Sequence, residues 1–239
     1  MSVAIVTGAS RGLGRALAIG LADNGWSLVI DARRRPDLER AEHEIRGHLG
    51  PGADLVAIDG DVTDPGHRKA LADGARALGG VDLLVNNAGI LGPSPLPTAS
   101  RFPLDKLREV VEVNLVAPLG LAQETVGLLR ASRGGGRIVF VTSDAAVEPY
   151  SGWSGYGAAK AAVEQAAAVL AVEEPELRVW AVDPGDLRTQ MHQEAFPGED
   201  ISDRPEPHSV VPAFLELVRS DRPSGRIRLA DLIVAGAPS

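Results

Sequence analysis

The sequence predicts an α/β fold: a single doubly wound domain, with a mostly parallel sheet of roughly seven strands and helices on both faces. Three observations predict it. Short apolar runs alternate with longer helical patterns through most of the chain, as in successive right-handed βαβ units. The short runs lack polar alternation, as expected of strands buried on both faces. At 239 residues the chain can fill one large core, but not two comfortable ones, so residues 1–239 read as one domain.

The elements follow in order. Residues 3–7 (Val-Ala-Ile-Val-Thr) read as the first strand and 11–24 as a helix. Residues 27–31 form the second strand, and 36–49 a charged helix. Residues 54–58 are a third strand, 65–78 a helix, and 81–85 a fourth strand. A long helical stretch, 104–130, contains Pro118, which predicts a kink because proline supplies no N–H to the helix ladder. Residues 137–141 are the fifth strand, 155–172 an alanine-rich helix and 177–182 the sixth strand. Residues 186–207 break the rhythm: they are rich in Pro, Asp, Glu and Gln and have no clear period. Such a segment after a strand of an open parallel sheet lies where ligand-binding loops are found. Within it, 190–204 is expected to be a lid over a substrate. Residues 210–218 read as a short helix and 226–229 as a last strand.

Composition narrows the function classes. The formal net charge of −8 argues against nucleic acid or an anionic membrane as the main partner. There is no cysteine, which removes disulfides, thiolate metal sites and cysteine nucleophiles and fits a reducing cytosol. No basic stretch leads into an apolar segment, and no apolar run approaches the ~20 residues of a membrane span, so a cytoplasmic protein is expected. The five histidines include no His-x-His or His-x3-His pair, so no metal is expected. Asp144 and Glu148 follow Ser143, but no histidine is placed to complete a hydrolase triad.

Two motifs carry chemistry. After the first strand comes Thr7-Gly8-Ala9-Ser10-Arg11-Gly12-Leu13-Gly14, with the spacing Gly-x3-Gly-x-Gly. Gly8 permits the tight turn, Gly12 lets the backbone approach a pyrophosphate, and Gly14 lets the helix pack close to the sheet. The N–H groups at the helix start would meet the anion. The second motif is Tyr156-Gly-Ala-Ala-Lys160, in a chain with two tyrosines and three lysines. Residues four apart share one helix face, so Tyr156 can point at a substrate oxygen while Lys160 sits beside it.

Together with Asp61 and Val62, Asn86 through Gly89, Asn114, Ser143, and Pro184, Gly185 and Thr189, these motifs resemble the short-chain dehydrogenase/reductase family. The resemblance covers about residues 3 to 190, in the family's order and at its spacings. It implies a Rossmann fold and NAD or NADP as hydride carrier. Gly8, Ser10, Arg11, Gly12, Leu13 and Gly14 would hold the phosphates. Asp61 and Val62 would touch the adenine; Asn87, Ala88 and Gly89 would line its ribose side; Pro184, Gly185 and Thr189 would lie against the nicotinamide. Taken alone, Asp61 could cap a helix and the asparagines could mark a turn. In the family the NAD-selecting acid sits where Ala32 falls and a phosphate-binding arginine where Arg33 falls. With Arg11 as a second cation, NADP(H) is the expected cofactor, and NAD(H) the alternative.

The resemblance also implies the catalytic set Asn114, Ser143, Tyr156 and Lys160. Tyr156 would be the general acid/base of a carbonyl–alcohol interconversion, its pKa lowered by Lys160 and the cationic nicotinamide. Lys160 would also hold the ribose hydroxyls. Ser143 would donate to the substrate oxygen, and Asn114 would hold a water linking Lys160 to solvent. A small-molecule carbonyl or alcohol is the expected partner. Tyr150 and Trp153 could line its pocket or serve in packing. Alternatives are a non-catalytic nucleotide-binding regulator, or a family enzyme with epimerase or dehydratase chemistry. The family's helical interface implies a homodimer or homotetramer. Residues 225–239 depart from the family: Leu229-Ala230-Asp231-Leu232 stands near its usual Val-Asp-Gly-Gly, which puts the tetramer contact in doubt.

Overall fold

The structure, a computed structural model, describes residues 1–235. Its centre is one seven-stranded sheet in the order β3-β2-β1-β4-β5-β6-β7. The strands are β1 (Val3–Val6), β2 (Ser27–Ala32), β3 (Leu55–Asp59), β4 (Leu83–Asn86), β5 (Arg137–Val141), β6 (Arg178–Asp183) and β7 (Gly225–Arg228). All pairings are parallel, so the sheet exceeds the expected mostly parallel character.

Both faces are covered, and period-two alternation splits each strand between two cores. Ala4 and Val6 of β1 pack into one, Val3 and Ile5 into the other. In β6, Trp180 and Val182 face the first core, and Val179 and Ala181 the second. The first core is closed by α1 (Gly12–Asp23), α2 (Arg35–Arg46) and α8 (Val211–Arg219); the second by α3 (Pro65–Ala77), α5 (Ala117–Arg130) and α6 (Ser154–Glu173). Trp180, Phe140 and Phe214 are among the largest fully buried side chains, each contributing roughly 1.5–3 kcal/mol or more by leaving water. Among the described residues, no helix is long and apolar enough to cross a membrane.

The chain runs outward through β1, β2 and β3, then crosses back to β4 beside β1. This reversal opens a crevice at the carboxyl ends of β1 and β4, where open parallel sheets bind ligands. The turn after β1 and the segment after β4 are the two glycine-bearing stretches singled out in the sequence.

Three elements differ from expectation. The stretch 104–130 is α4 (Leu104–Val111), a π-helical turn (Glu112–Val116) and α5. Pro118 sits in the first turn of α5 and has no N–H for the Asn114 carbonyl; the ladder widens upstream, with Ala117 N–H bonded to the Glu112 carbonyl. Residues 186–207 contain a short helix, α7 (Gln190–Ala195), capped by Thr189, whose Oγ1 accepts from the His192 N–H at 3.1 Å. The predicted last strand ends one residue early, and α9 (Leu229–Ala235) occupies the region of the divergent Leu-Ala-Asp-Leu. The remaining residues, 236–239, of the divergent tail lie outside the described residues.

Candidate active site

The turn between β1 and α1 is built for an anion. Gly8 and Gly12 have φ of +68° and +54°, which side-chain-bearing residues rarely adopt. A Cβ on Gly14 would stand 2.4 Å from both the Gly8 carbonyl oxygen and Asn87 Nδ2. The cap of α1, Arg11, makes no side-chain cap bond, and the first turn holds no acid, so its N–H groups and the positive end of the helix are left for a ligand. Asn87 Nδ2 donates to the carbonyls of Thr7 (2.8 Å) and Gly8 (3.3 Å), and Thr7 Oγ1 accepts from the N–H groups of Asn87 and Ala88, each at 3.0 Å. The paired asparagines are therefore more than a turn: Asn87 ties β4 to the glycine turn.

That turn opens onto a cavity of about 980 Å³ whose wall contains every expected site residue except the buried Asn114. At one end, Ala32 closes β2 and the exposed Arg33 follows. Asp61 Oδ1 accepts from the Thr63 N–H (2.9 Å) and hydroxyl (2.8 Å). Burial pushes the Asp61 carboxyl up, but those bonds and the nearby Arg33 and His67 outweigh it and hold it below the usual range. Asp61 is not the cap of α3; that is Asp64, which accepts from the Gly66 N–H at 2.8 Å. Arg11 reaches across the cavity to Gln190 of α7, and a Cβ on Gly12 would lie 3.5 Å from Thr189 Cγ2. The segment after β6 thus rests against the glycine turn. The long crevice, the glycine cradle and the cation beyond β2 fit a dinucleotide.

Tyr156 and Lys160 stand together at the other end. Both are buried, and Lys160 Nζ lies 5.4 Å from the Tyr156 ring centroid. Lys160 Nζ donates to the Val141 carbonyl at 2.8 Å, and burial lowers its pKa to about 8. The expectation of a depressed Tyr156 pKa is not met by the protein's own groups: burial raises it, and the charges of Asp183 and Asp144 raise it further. Ser143 Oγ donates to Asp144 Oδ1 at 2.9 Å and accepts from the Ala145 N–H at 3.2 Å, so it also caps the short 3-10 turn Asp144–Ala146. Both ends of the Asn114 side chain bond to Ile90: Nδ2 donates to its carbonyl (2.8 Å) and Oδ1 accepts from its N–H (3.0 Å). A Cβ on Gly89 would lie 2.8 Å from Asn114 Oδ1 and 3.7 Å from Lys160 Nζ, so the loop after β4 is wedged between them.

Aromatic side chains flank this end. Trp153 meets Tyr156 edge to face at 5.7 Å and Phe196 at 6.1 Å, and His192 lies 5.0 Å from Phe196. Trp153 and Tyr150 both line the cavity, and Trp153, Met191 and Phe196 pack against the cluster that includes Tyr156.

Three contributions escaped the sequence reading. Asp31, buried at the end of β2, accepts from the Gly8 N–H at 2.6 Å and faces His67 Nε2 at 2.9 Å, so an α3 histidine braces the glycine turn. Tyr150 donates to Asp144 Oδ2 at 2.9 Å. Arg226 of β7 donates to Glu164 of α6 (3.0 Å), to Asp183 at the end of β6 (2.8 Å) and to the Ser143 carbonyl (3.3 Å). Glu164 is one turn past Lys160, and Asp183 precedes Pro184, so this network joins the supports of three expected site segments. The only sequence signal was the departure of residues 225–239 from the family pattern.

The sequence pattern of the short chain dehydrogenase family matches residues 2–200. An NADPH-dependent aldehyde reductase-like protein of Arabidopsis thaliana chloroplasts is 32% identical over 243 residues, covering 97% of this chain and 84% of the relative. Sepiapterin reductase of Rattus norvegicus is 34% identical over 201 residues, covering 80% and 76%. The alcohol dehydrogenase of the archaeon Thermococcus sibiricus, solved with 5-hydroxy-NADP, superimposes with a TM-score of 0.84 at 25% identity over 95% of both chains. These matches show that the chain belongs to the short-chain dehydrogenase family of NAD(P)-dependent oxidoreductases.

Proposed function

We propose that this protein is an NADP(H)-dependent oxidoreductase that interconverts a ketone or aldehyde and an alcohol, with Tyr156 as general acid and base. The observation that carries this reading is the Tyr156–Lys160 pair on the wall of one cavity that runs back to the glycine turn and Arg33. When bound, the nicotinamide dinucleotide supplies the hydride. Gly8, Ser10, Arg11, Gly12, Leu13 and Gly14 would hold its phosphates, and Pro184, Gly185 and Thr189 its nicotinamide end. Preference for the 2′-phosphate is supported by Ala32 in place of an acid, by exposed Arg33, and by the NADP(H)-linked relatives.

Burial holds Tyr156 as a neutral phenol, so the proton for the carbonyl oxygen in reduction is present, and the charge of Lys160 and of the oxidised nicotinamide would lower its pKa for transfer. Lys160 spends one N–H on Val141 and keeps two for the ribose hydroxyls and the phenol oxygen. Ser143 turns its hydroxyl from Asp144 to the substrate oxygen as charge develops there. Asn114 acts through its main chain: its side chain is spent on Ile90, while its carbonyl, without an N–H from position 118, is open to a water leading toward Lys160. The segment 190–204 closes over the substrate as a lid. The chain assembles as a homodimer or homotetramer; Val169 and Val172, three apart and exposed on α6, supply apolar surface for it.

The test is a panel of ketones and aldehydes followed by the absorbance of reduced nicotinamide. Turnover is expected with kcat/KM higher for NADPH than NADH. Tyr156→Phe should cut kcat by about 10²–10⁴-fold while coenzyme still binds. Near-normal turnover by that variant overturns the mechanism, and a preference for NADH overturns the cofactor assignment.

A further inference from the structure

We infer that Asp144 sets the substrate class: the site takes uncharged carbonyl compounds bearing an aromatic group and refuses those with a carboxylate on the carbonyl carbon. The inference rests on the proposed reductase reading and deepens it. Asp144 adjoins Ser143, and its Oδ1 lies 2.9 Å from Ser143 Oγ. Its other bonds come from the Ala145 N–H (2.8 Å) and the Tyr150 hydroxyl (2.9 Å). All three donors are neutral. Of the other cavity acids, Glu44 faces Arg15, Asp186 faces Arg204, Glu206 faces Arg188 and Asp61 lies in the field of Arg33, while Asp31 is hydrogen-bonded to the Gly8 N–H and His67 under the glycine turn. Asp144 is therefore the acid at the reacting end of this cavity, and among the described residues it has no lysine or arginine partner there.

A carbonyl oxygen that takes the Ser143 hydroxyl from Asp144 lies next to that carboxylate, whose Oδ1 is 2.9 Å from Ser143 Oγ. A carboxylate on the same carbonyl carbon then falls within about 6 Å of it. At an effective dielectric of about 20, two like charges at that separation disfavour binding by roughly a hundredfold. The aromatic half follows from the wall: both tyrosines of the chain, one of its three tryptophans and one of its four phenylalanines line this cavity. Trp153 and Phe196, 6.1 Å apart beside Tyr156, offer flat apolar surface next to the reacting oxygen.

The test compares ethyl benzoylformate with benzoylformate, which differ in one charge. Wild type should favour the ester in kcat/KM by about a hundredfold. Asp144→Asn should shrink that ratio at least tenfold, and Asp144→Ser should do the same; a ratio is insensitive to a general loss of activity. Calorimetric binding of ethyl mandelate and mandelate supplies a readout without turnover, with the same preference in wild type and its loss in both variants. Equal use or binding of acid and ester by wild type, a ratio unchanged in both variants, or binding of neither compound overturns the inference. Ester-selective binding without turnover of any carbonyl would instead overturn the reductase reading and leave the role of Asp144 standing.

Discussion

Lys160 holds an amine in a place that disfavours its charge. It is 4% exposed, and burial brings its pKa from the usual 10.5 to about 8. Because the folded value lies below the unfolded one, the unfolded chain binds more protons between about pH 8 and 10.5, and unfolding free energy rises with pH across that window. The integrated effect is roughly 3 kcal/mol, on the order of a large mutational change. Tyr156 works in the opposite sense: its raised pKa keeps the folded state protonated, so stability falls once the unfolded phenol ionises above about pH 10. Urea denaturation between about pH 8 and 9.5 isolates the lysine. Wild type should gain stability with pH there relative to Lys160→Met; parallel curves would show that the buried amine is not the titrating group.

At the scale of elements, Arg226 fastens β7 to α6, to the end of β6 and to the Ser143 carbonyl. Its partner Asp183 is 3% exposed, so removing the guanidinium leaves a buried carboxylate with, among the described residues, only the Gly185 N–H at 2.9 Å and Arg228 at 3.9 Å. Losing one member of such a group costs about 3–5 kcal/mol, far more than an exposed ion pair. Arg226→Met should lower unfolding free energy by about 3 kcal/mol. It should also lower kcat, because Ser143 and the helix carrying Lys160 lose a shared anchor. Arg226→Lys should recover only part of both, since a single ammonium cannot reproduce the spread of guanidinium bonds to three elements. Denaturant titration and steady-state kinetics would check this, and a Met variant of wild-type stability would mean that solvent already screens the network.

For the whole molecule, the sheet order places the glycine turn and the Tyr156–Lys160 pair at the same carboxyl edge, and the helices left outside carry exposed apolar side chains. Val172 on α6 is 80% exposed and Val169 is 45% exposed. If α6 meets a second copy, Val169→Asp with Val172→Asp should move the sedimenting species to monomer while leaving the circular dichroism spectrum unchanged. An unaltered oligomer would place the interface elsewhere.

The alternation of apolar runs and helical stretches, the glycines of the first turn and the four-residue spacing of Tyr156 and Lys160 are local facts, and the sequence alone determined them: strands, helices and a shared helix face follow from periodicity and backbone freedom. Even so, α7 and α9 were not legible. The six residues of α7, Gln-Met-His-Gln-Glu-Ala, are mostly good helix formers, but a helix this short is not stable by itself, and it is held by the Thr189 cap and by packing of Met191 and Ala195 toward Tyr156. Only the tertiary structure decided that Asp31 and His67 brace the glycine turn, that Asn114 is spent on Ile90, that Asp144 shares Ser143, and that Arg226 ties three elements together. These pairs are 23 to 83 residues apart, apart from the adjacent Ser143 and Asp144. Their meeting depends on which strands lie side by side, and the charge each group feels depends on the solvent excluded when they do.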